Sequence, residues 1–194
     1  MRRRVFDILA SGVGLVVVVV LIVAGALTLW GNSYVDSNVH NQLAEQQIFF
    51  PPKAAFAHPV AGSEITPAMI PSVSQYAGQQ LLTGAQAEAW ADHFIAVHLS
   101  EMPYGGVYAK ISTAARAAPK NTQLAALEQT SFQGTTLRGL LLEAYGFSQM
   151  GNVLLWAAIA SFCLAFIMAI LVGLGFRHAR RTPSEAELLA ATST

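Results

Sequence analysis

The stretch Ile8 to Trp30, ILASGVGLVVVVVLIVAGALTLW, runs for 23 residues without a charged side chain. As a helix that rises about 1.5 Å per residue it is about 34 Å long, enough to cross the roughly 30 Å hydrocarbon layer of a bilayer. The valine run Val16 to Val20 favours strand in water, but in lipid the backbone must bond within its own segment, so helix is expected. A cleaved signal peptide is the alternative, because Arg2 to Arg4 precede the run, yet the run exceeds the roughly 7 to 15 residues of such a segment.

A second apolar stretch, Val153 to Phe176, is also free of charge, and a basic flank containing Arg177, His178, Arg180 and Arg181 follows it at once. Six of the eleven Lys and Arg residues lie in the two short flanks, before the first stretch and after the second. The positive-inside rule therefore places both termini in the cytoplasm and the middle of the chain outside the cell.

The sequence thus predicts an all-α, multi-pass plasma-membrane protein with two antiparallel transmembrane helices and a small helical extracytoplasmic domain. The predicted divisions are a basic cytoplasmic N-terminus, a first span, the outer domain, a second span and a cytoplasmic tail, at residues 1–7, 8–30, 31–152, 153–176 and 177–194.

The composition and the motifs argue against several classes of function. The formal net charge of the 194 residues is zero, so no basic field is present to hold nucleic acid. The single cysteine, Cys163, lies in the second span and is expected to be a small buried hydrophobe; no disulfide within the chain is possible. We find no nucleophile motif, phosphate loop or dinucleotide fingerprint, and we expect no cofactor and no catalysis by this chain alone.

The outer domain is expected to begin as a helical stalk. Val35, Val39, Leu43 and Phe50 recur at helical steps, and Pro51 should stop the helix because proline lacks the amide donor. Trp30 and Tyr34 sit where an aromatic belt at the membrane interface is expected.

A Pro-rich loop is predicted over residues 51–74, with no sustained period. Its apolar side chains, which include Phe56, Ile65 and Met69, argue against free disorder. A loop of this length is expected to be pinned against another surface, either of this chain or of a partner.

Four further helices are predicted in the outer domain. Thr83 should cap a helix from about Gln86 to Met102, and a second helix should cover residues 107–118. Asn121 should cap a short helix that ends near Phe132 because Gly134 breaks it. Thr135 or Thr136 would then cap a last helix that leads into the second span, with a join at Gly151 that is either kinked or continuous.

Several stretches carry a family resemblance. The chain resembles two-span membrane proteins of actinobacteria of unassigned function in four stretches: Gln46–Pro51 (QQIFFP), Ala89–Leu99 (AWADHFIAVHL), Thr135–Phe147 (TTLRGLLLEAYGF) and the span that follows. Such sequences are sometimes labelled aromatic-ring-opening dioxygenases. The resemblance covers nearly the whole chain and implies the two-span architecture but almost no chemistry. In that setting a membrane-bound oxidase or monooxygenase is one candidate partner.

The dioxygenase label does not fit the histidines. A non-haem iron dioxygenase needs His and carboxylate ligands around an open metal position. Only His40, His93 and His98 lie on predicted outer helices. His98 and Glu101 stand one turn apart with Met102 next, which offers a cation two or three side chains but no closed site. A satisfied surface histidine is the simpler interpretation for each, and metal binding at His93, His98, Glu101, Met102 or His40 is the weaker hypothesis.

Other residues point to contacts with lipid or protein. Arg138 is expected to form an ion pair with another element or to reach a lipid phosphate. A face of small residues on the second span suits close helix packing in lipid: Ala157, Ala158, Ser161 and Ala165.

The function expected from the sequence is therefore that of a non-catalytic accessory or stabilising subunit, which packs against other integral membrane subunits within a larger complex. A homo-oligomer is kept open, as is the alternative of an extracytoplasmic metal-handling protein of the copper type.

Overall fold

The computed structural model describes residues 3–59 and 64–183. Parts of the predicted cytoplasmic flanks (residues 1–2 and 184–194) and of the Pro-rich loop (60–63) lie outside the described residues. The fold is about 83% helical, and the described residues form no strand, which confirms the all-α prediction. The α-helices are α1 Arg3–Glu45, α2 Lys53–Ala57, α3 Ile70–Val73, α4 Gly84–Trp90, α5 Ala96–Glu101, α6 Tyr108–Ala117 and α7 Thr122–Arg181.

The helices α1 and α7 contain the two predicted spans, and both are long and apolar enough to cross a membrane. In the most apolar 18-residue segment of each helix, only 22% of the segment is buried in α1 and 17% in α7. The core helix of a soluble protein would have most of that segment covered by protein, so the apolar surface of these helices is left for another apolar environment.

The chain divides into two compact units, one of Met1–Ser33 with Asn152–Thr194 and one of Tyr34–Gly151, here called the span unit and the outer unit. In the span unit the two helices approach closely at glycines. A methyl group at Gly14 would lie 2.7 Å from Val172 Cγ2, and one at Gly25 would lie 3.0 Å from the Phe162 ring. Further contacts join Gly31 to Leu154 and Ser11 to Gly175.

The core of the outer unit is built from side chains of α1, the Pro-rich loop, α4 and α7. Buried members include Leu43, Phe50, Leu81, Ala87 and Leu141. Phe50 is central, because its ring lies 5.0 Å from that of Trp90 and 5.1 Å from that of Tyr76 between centroids. These rings pack edge-on or tilted, as aromatic pairs prefer.

The Pro-rich loop belongs to this core. Phe56, Ile65, Met69 and Val73 are buried in it, and short helices α2 and α3 form within the loop. The described part of the loop is therefore pinned on this chain itself, and its buried apolar side chains are not available to a partner.

The helix predicted over residues 86–102 forms from residue 84 to 101, with one irregular turn. Thr83 caps it as predicted: its side chain accepts a bond from the Gln86 amide, and the Gln86 side chain accepts from the amide of Thr83. Between α4 and α5 the segment Ala91–Ile95 is a π-helix, in which the amide of Ala96 donates to the carbonyl of Ala91, five residues back.

Two predicted helix ends are wrong. The stalk helix ends at Glu45 rather than at Pro51, because Gln47 adopts a left-handed φ of 51° and the next residues extend to pair Phe49 with Gln80. The break predicted at Gly134 is absent. The α7 helix begins under the Asn121 cap, as predicted, and continues through Gly134 and Gly151 to Arg181.

Candidate functional site

The outer unit carries an apolar groove between the first part of α7 and the end of α1. Its volume is about 450 Å³, within the usual range for small-molecule and peptide sites. One wall is formed by α1 and by Gln46, which directly follows it, and the other wall by α7. The lining residues are Tyr34, Val35, Asn38, Val39, Gln42, Leu43 and Gln46, then Leu137, Leu140, Leu141, Glu143, Ala144 and Phe147.

The floor and the rim of this groove differ. Val39, Leu43 and Leu141 are buried and tie the floor to the core of the outer unit. Leu140 and Phe147 stand on the rim and are 59% and 47% exposed. Glu143 is the one charged residue among the lining side chains. Most of the lining is apolar, and the groove carries one charged side chain, which favours recognition of a largely apolar partner over chemistry.

An ion pair holds α7 beside the π-helix. Arg138 Nη2 donates to Asp92 Oδ1 at 2.6 Å, and the two side chains are 39% and 34% exposed. Arg138 Nε is buried, and none of the described residues accepts a hydrogen bond from it. The Arg138–Asp92 pair is one of the two uses predicted for Arg138, and Asp92, when engaged in it, is not a free carboxylate for acid or base work.

The metal-binding candidates do not come together. Among the described residues no group of three His, Cys, Asp or Glu side chains is close enough to hold an ion. His98 Nδ1 lies 2.9 Å from the carbonyl oxygen of Phe94, and since a carbonyl only accepts, Nδ1 is the donor. The ring of Phe94 packs edge-on against the same imidazole. His40 and Glu101 are exposed, and His93 and Met102 are half-buried.

A second exposed apolar surface lies at the start of α6. Tyr104 and Tyr108 project there, and the ring of Tyr108 lies 5.6 Å from that of Phe132 between centroids. Tyr104 has a left-handed φ of 60°, rare for a bulky residue. The turn is stabilised by a hydrogen bond to α7: the buried hydroxyl of Ser131 donates to the carbonyl of Gly106 at 2.7 Å.

The predicted small-residue face of the second span lies partly in the contact with α1. Ala158 and Ala165 are buried, whereas Ala157 and Ser161 are half-buried. The buried positions continue at Val172 and Ala179, a seven-residue repeat typical of a helix–helix seam. Cys163 is exposed, so its prediction as a buried hydrophobe is wrong.

Tyr34 and Trp30 were predicted as interfacial aromatics. Both are exposed for more than half of their surface, and Tyr34 also lines the groove. The groove was not predicted from the sequence, although Leu137, Leu140, Leu141 and Ala144 lie on a wide apolar face of the predicted last outer helix.

No protein-family model matches the chain, and comparisons with curated proteins and with solved structures found no match.

Proposed function

We propose that this protein is a non-catalytic accessory subunit of a larger membrane complex. Two antiparallel spans anchor it in the plasma membrane with both termini in the cytoplasm, and the outer unit receives a partner on the extracytoplasmic side. The partner is another integral membrane subunit, for which a membrane-bound oxidase or monooxygenase is one candidate.

The antiparallel arrangement is supported by the order of contacts in the span unit. Ser11 meets Gly175, Gly25 meets Phe162, and Gly31 meets Leu154, so a rising number on α1 pairs with a falling number on α7. The arginines of the two helices then lie at one end of the pair. The positive-inside rule assigns that end to the cytoplasm.

The observation that carries the proposal is the apolar groove of the outer unit. Exposed Leu140 and Phe147 stand beside a floor that is already packed, so the groove is a formed surface and not a gap in the core. An apolar groove of this kind can receive the apolar face of a helix, one of the recurring modes of protein recognition. The Pro-rich loop does not supply the docking surface, because its described apolar side chains are buried in this chain.

Purification of the native complex in mild detergent tests the proposal. Phe147→Asp should reduce the recovery of the partner about ten-fold or more, because a buried unpaired charge costs several kcal/mol at an interface. Phe132→Asp is the matched control, since Phe132 is 50% exposed, against 47% for Phe147, and lies outside the groove. Wild-type protein that is always recovered alone would refute the accessory role, and recovery only with copies of itself would replace it by a homo-oligomer.

The topology is tested separately by labelling intact cells with a membrane-impermeant maleimide. Cys163→Ser removes the native thiol, and one new cysteine is then placed either at Lys120 in the outer unit or at Arg180 after the second span. We expect labelling at position 120 and none at position 180 until the cells are opened. The reverse pattern would contradict the proposed orientation.

A further inference from the structure

The arginines of the span unit form one exposed cluster. Arg3 and Arg4 precede the apolar part of α1, and Arg177, Arg180 and Arg181 follow that of α7; all five side chains are exposed. The two sets belong to the same end of the helix pair, because Asp7 Oδ2 lies 3.8 Å from His178 Nε2 and Ser11 contacts Gly175.

Little negative charge balances this cluster among the residues that the structure describes. Asp7 is the one acidic residue in the described part of the span unit. Its contact is with His178, and its Oδ2 accepts no hydrogen bond from the described residues. None of the five arginines forms an ion pair within the described chain. Within the described residues their charges therefore face outward, where anionic groups of the surroundings can approach them.

The direction of the side chains on α7 suits a lipid headgroup. Ala179 is buried, and the nearby residues Gly175 and His178 lie against Ser11 and Asp7 of α1. Residues two positions away on either side are turned by about 200° around the helix, so Arg177 and Arg181 point away from the helix pair, outward from its seam. Arginine at the end of an apolar helix extends its aliphatic stem along that helix and places its guanidinium at headgroup depth. There the planar guanidinium can donate two parallel hydrogen bonds to a phosphate.

From these observations we propose that the arginine cluster binds anionic phospholipid headgroups, and that the protein carries a shell enriched in such lipids around this end of its spans. The inference rests on the proposed insertion of α1 and α7 into a membrane. It adds a lipid class to that proposal, beyond the general contact of any span with a bilayer.

The test uses the full-length protein reconstituted in nanodiscs of phosphatidylcholine with a minor fraction of phosphatidylglycerol. After extraction in a neutral detergent, the ratio of the two lipids bound to the protein is measured by mass spectrometry. We expect phosphatidylglycerol to be enriched over its fraction in the nanodisc. Each arginine that contacts a headgroup should contribute up to about five-fold, and added salt should lower the enrichment.

The decisive variant carries Arg177→Gln, Arg180→Gln and Arg181→Gln. Its matched control removes three exposed basic groups of the outer unit instead, with Lys110→Gln, Arg116→Gln and Lys120→Gln. We expect the first to lose most of the enrichment and the second to keep it. Equal enrichment in both variants, or none in the wild type, would overturn the inference. Such a result leaves partner recovery untouched, whereas a wild-type chain that fails to insert into nanodiscs would overturn the membrane proposal itself.

Discussion

Replacing Met69 by alanine tests whether the Pro-rich loop is part of the folded core. Met69 is fully buried, whereas Met150, also in the outer unit, is 59% exposed and supplies a matched control. Truncation of a buried methionine to alanine lowers the free energy of unfolding by about 2–5 kcal/mol, because it removes apolar contacts and leaves a cavity. With a urea dependence of about 2 kcal/mol per molar, the middle of the range for small proteins, the unfolding midpoint should fall by roughly 1–2.5 M.

The assay is urea unfolding of the detergent-solubilised full chain, followed by the fluorescence of Trp90, which stacks on Phe94 inside the outer unit. Trp30→Phe and Trp156→Phe remove the other two tryptophans. Met150→Ala should shift the midpoint little, since substitutions on the surface usually change stability by less than about 0.5 kcal/mol. If Met69→Ala and Met150→Ala unfold at the same urea concentration, the loop is not packed as described and becomes available again as a partner surface.

Further predictions concern the turns of the outer unit and can be measured by the same urea midpoint. Thr83→Ala should lower stability by about 1 kcal/mol through loss of the helix cap, whereas Thr83→Ser should keep it. Gly106→Ala should destabilise more than Gly105→Ala: both have a positive φ, but a Cβ at Gly106 would strike the backbone at the end of α5 while one at Gly105 meets open space. Ser131→Ala should cost about 1–3 kcal/mol because the buried Gly106 carbonyl loses its donor, whereas Thr130→Ala on the exposed face should cost less than about 0.5 kcal/mol.

Features that depend on neighbouring residues alone were predictable from the sequence. The charge-free stretches are long and apolar enough to identify α1 and α7 as potential membrane helices. The caps at Thr83 and Asn121 follow from side chains that bond amides two or three residues ahead, and both formed. In each case the deciding interactions join residues within one helical turn or one continuous apolar stretch. Contacts between residues far apart in the sequence are therefore not needed to predict them.

Gly134 shows why other features were not predictable. Glycine is a frequent helix breaker, yet here a methyl group in its place would lie 2.9 Å from Leu99 Cδ2. Gly134 therefore serves close packing against α5, and the helix passes through it. Likewise, the groove is formed by residues of α1 and by residues of α7 about a hundred positions later. The apolar pattern of a single helix does not show which other helix it packs against.

The π-helix between α4 and α5 has a consequence for the length of the chain. A π-turn holds about one residue more than an α-helical turn, so deleting one residue from Ala91–Ile95 would restore a regular α-helix and leave the later residues of α5 facing nearly the same way. Leu99 would then still face Gly134, against which it packs closely here. A functional homologue could therefore lack one residue between Trp90 and Leu99, provided that it replaces the π-turn by regular α-helix.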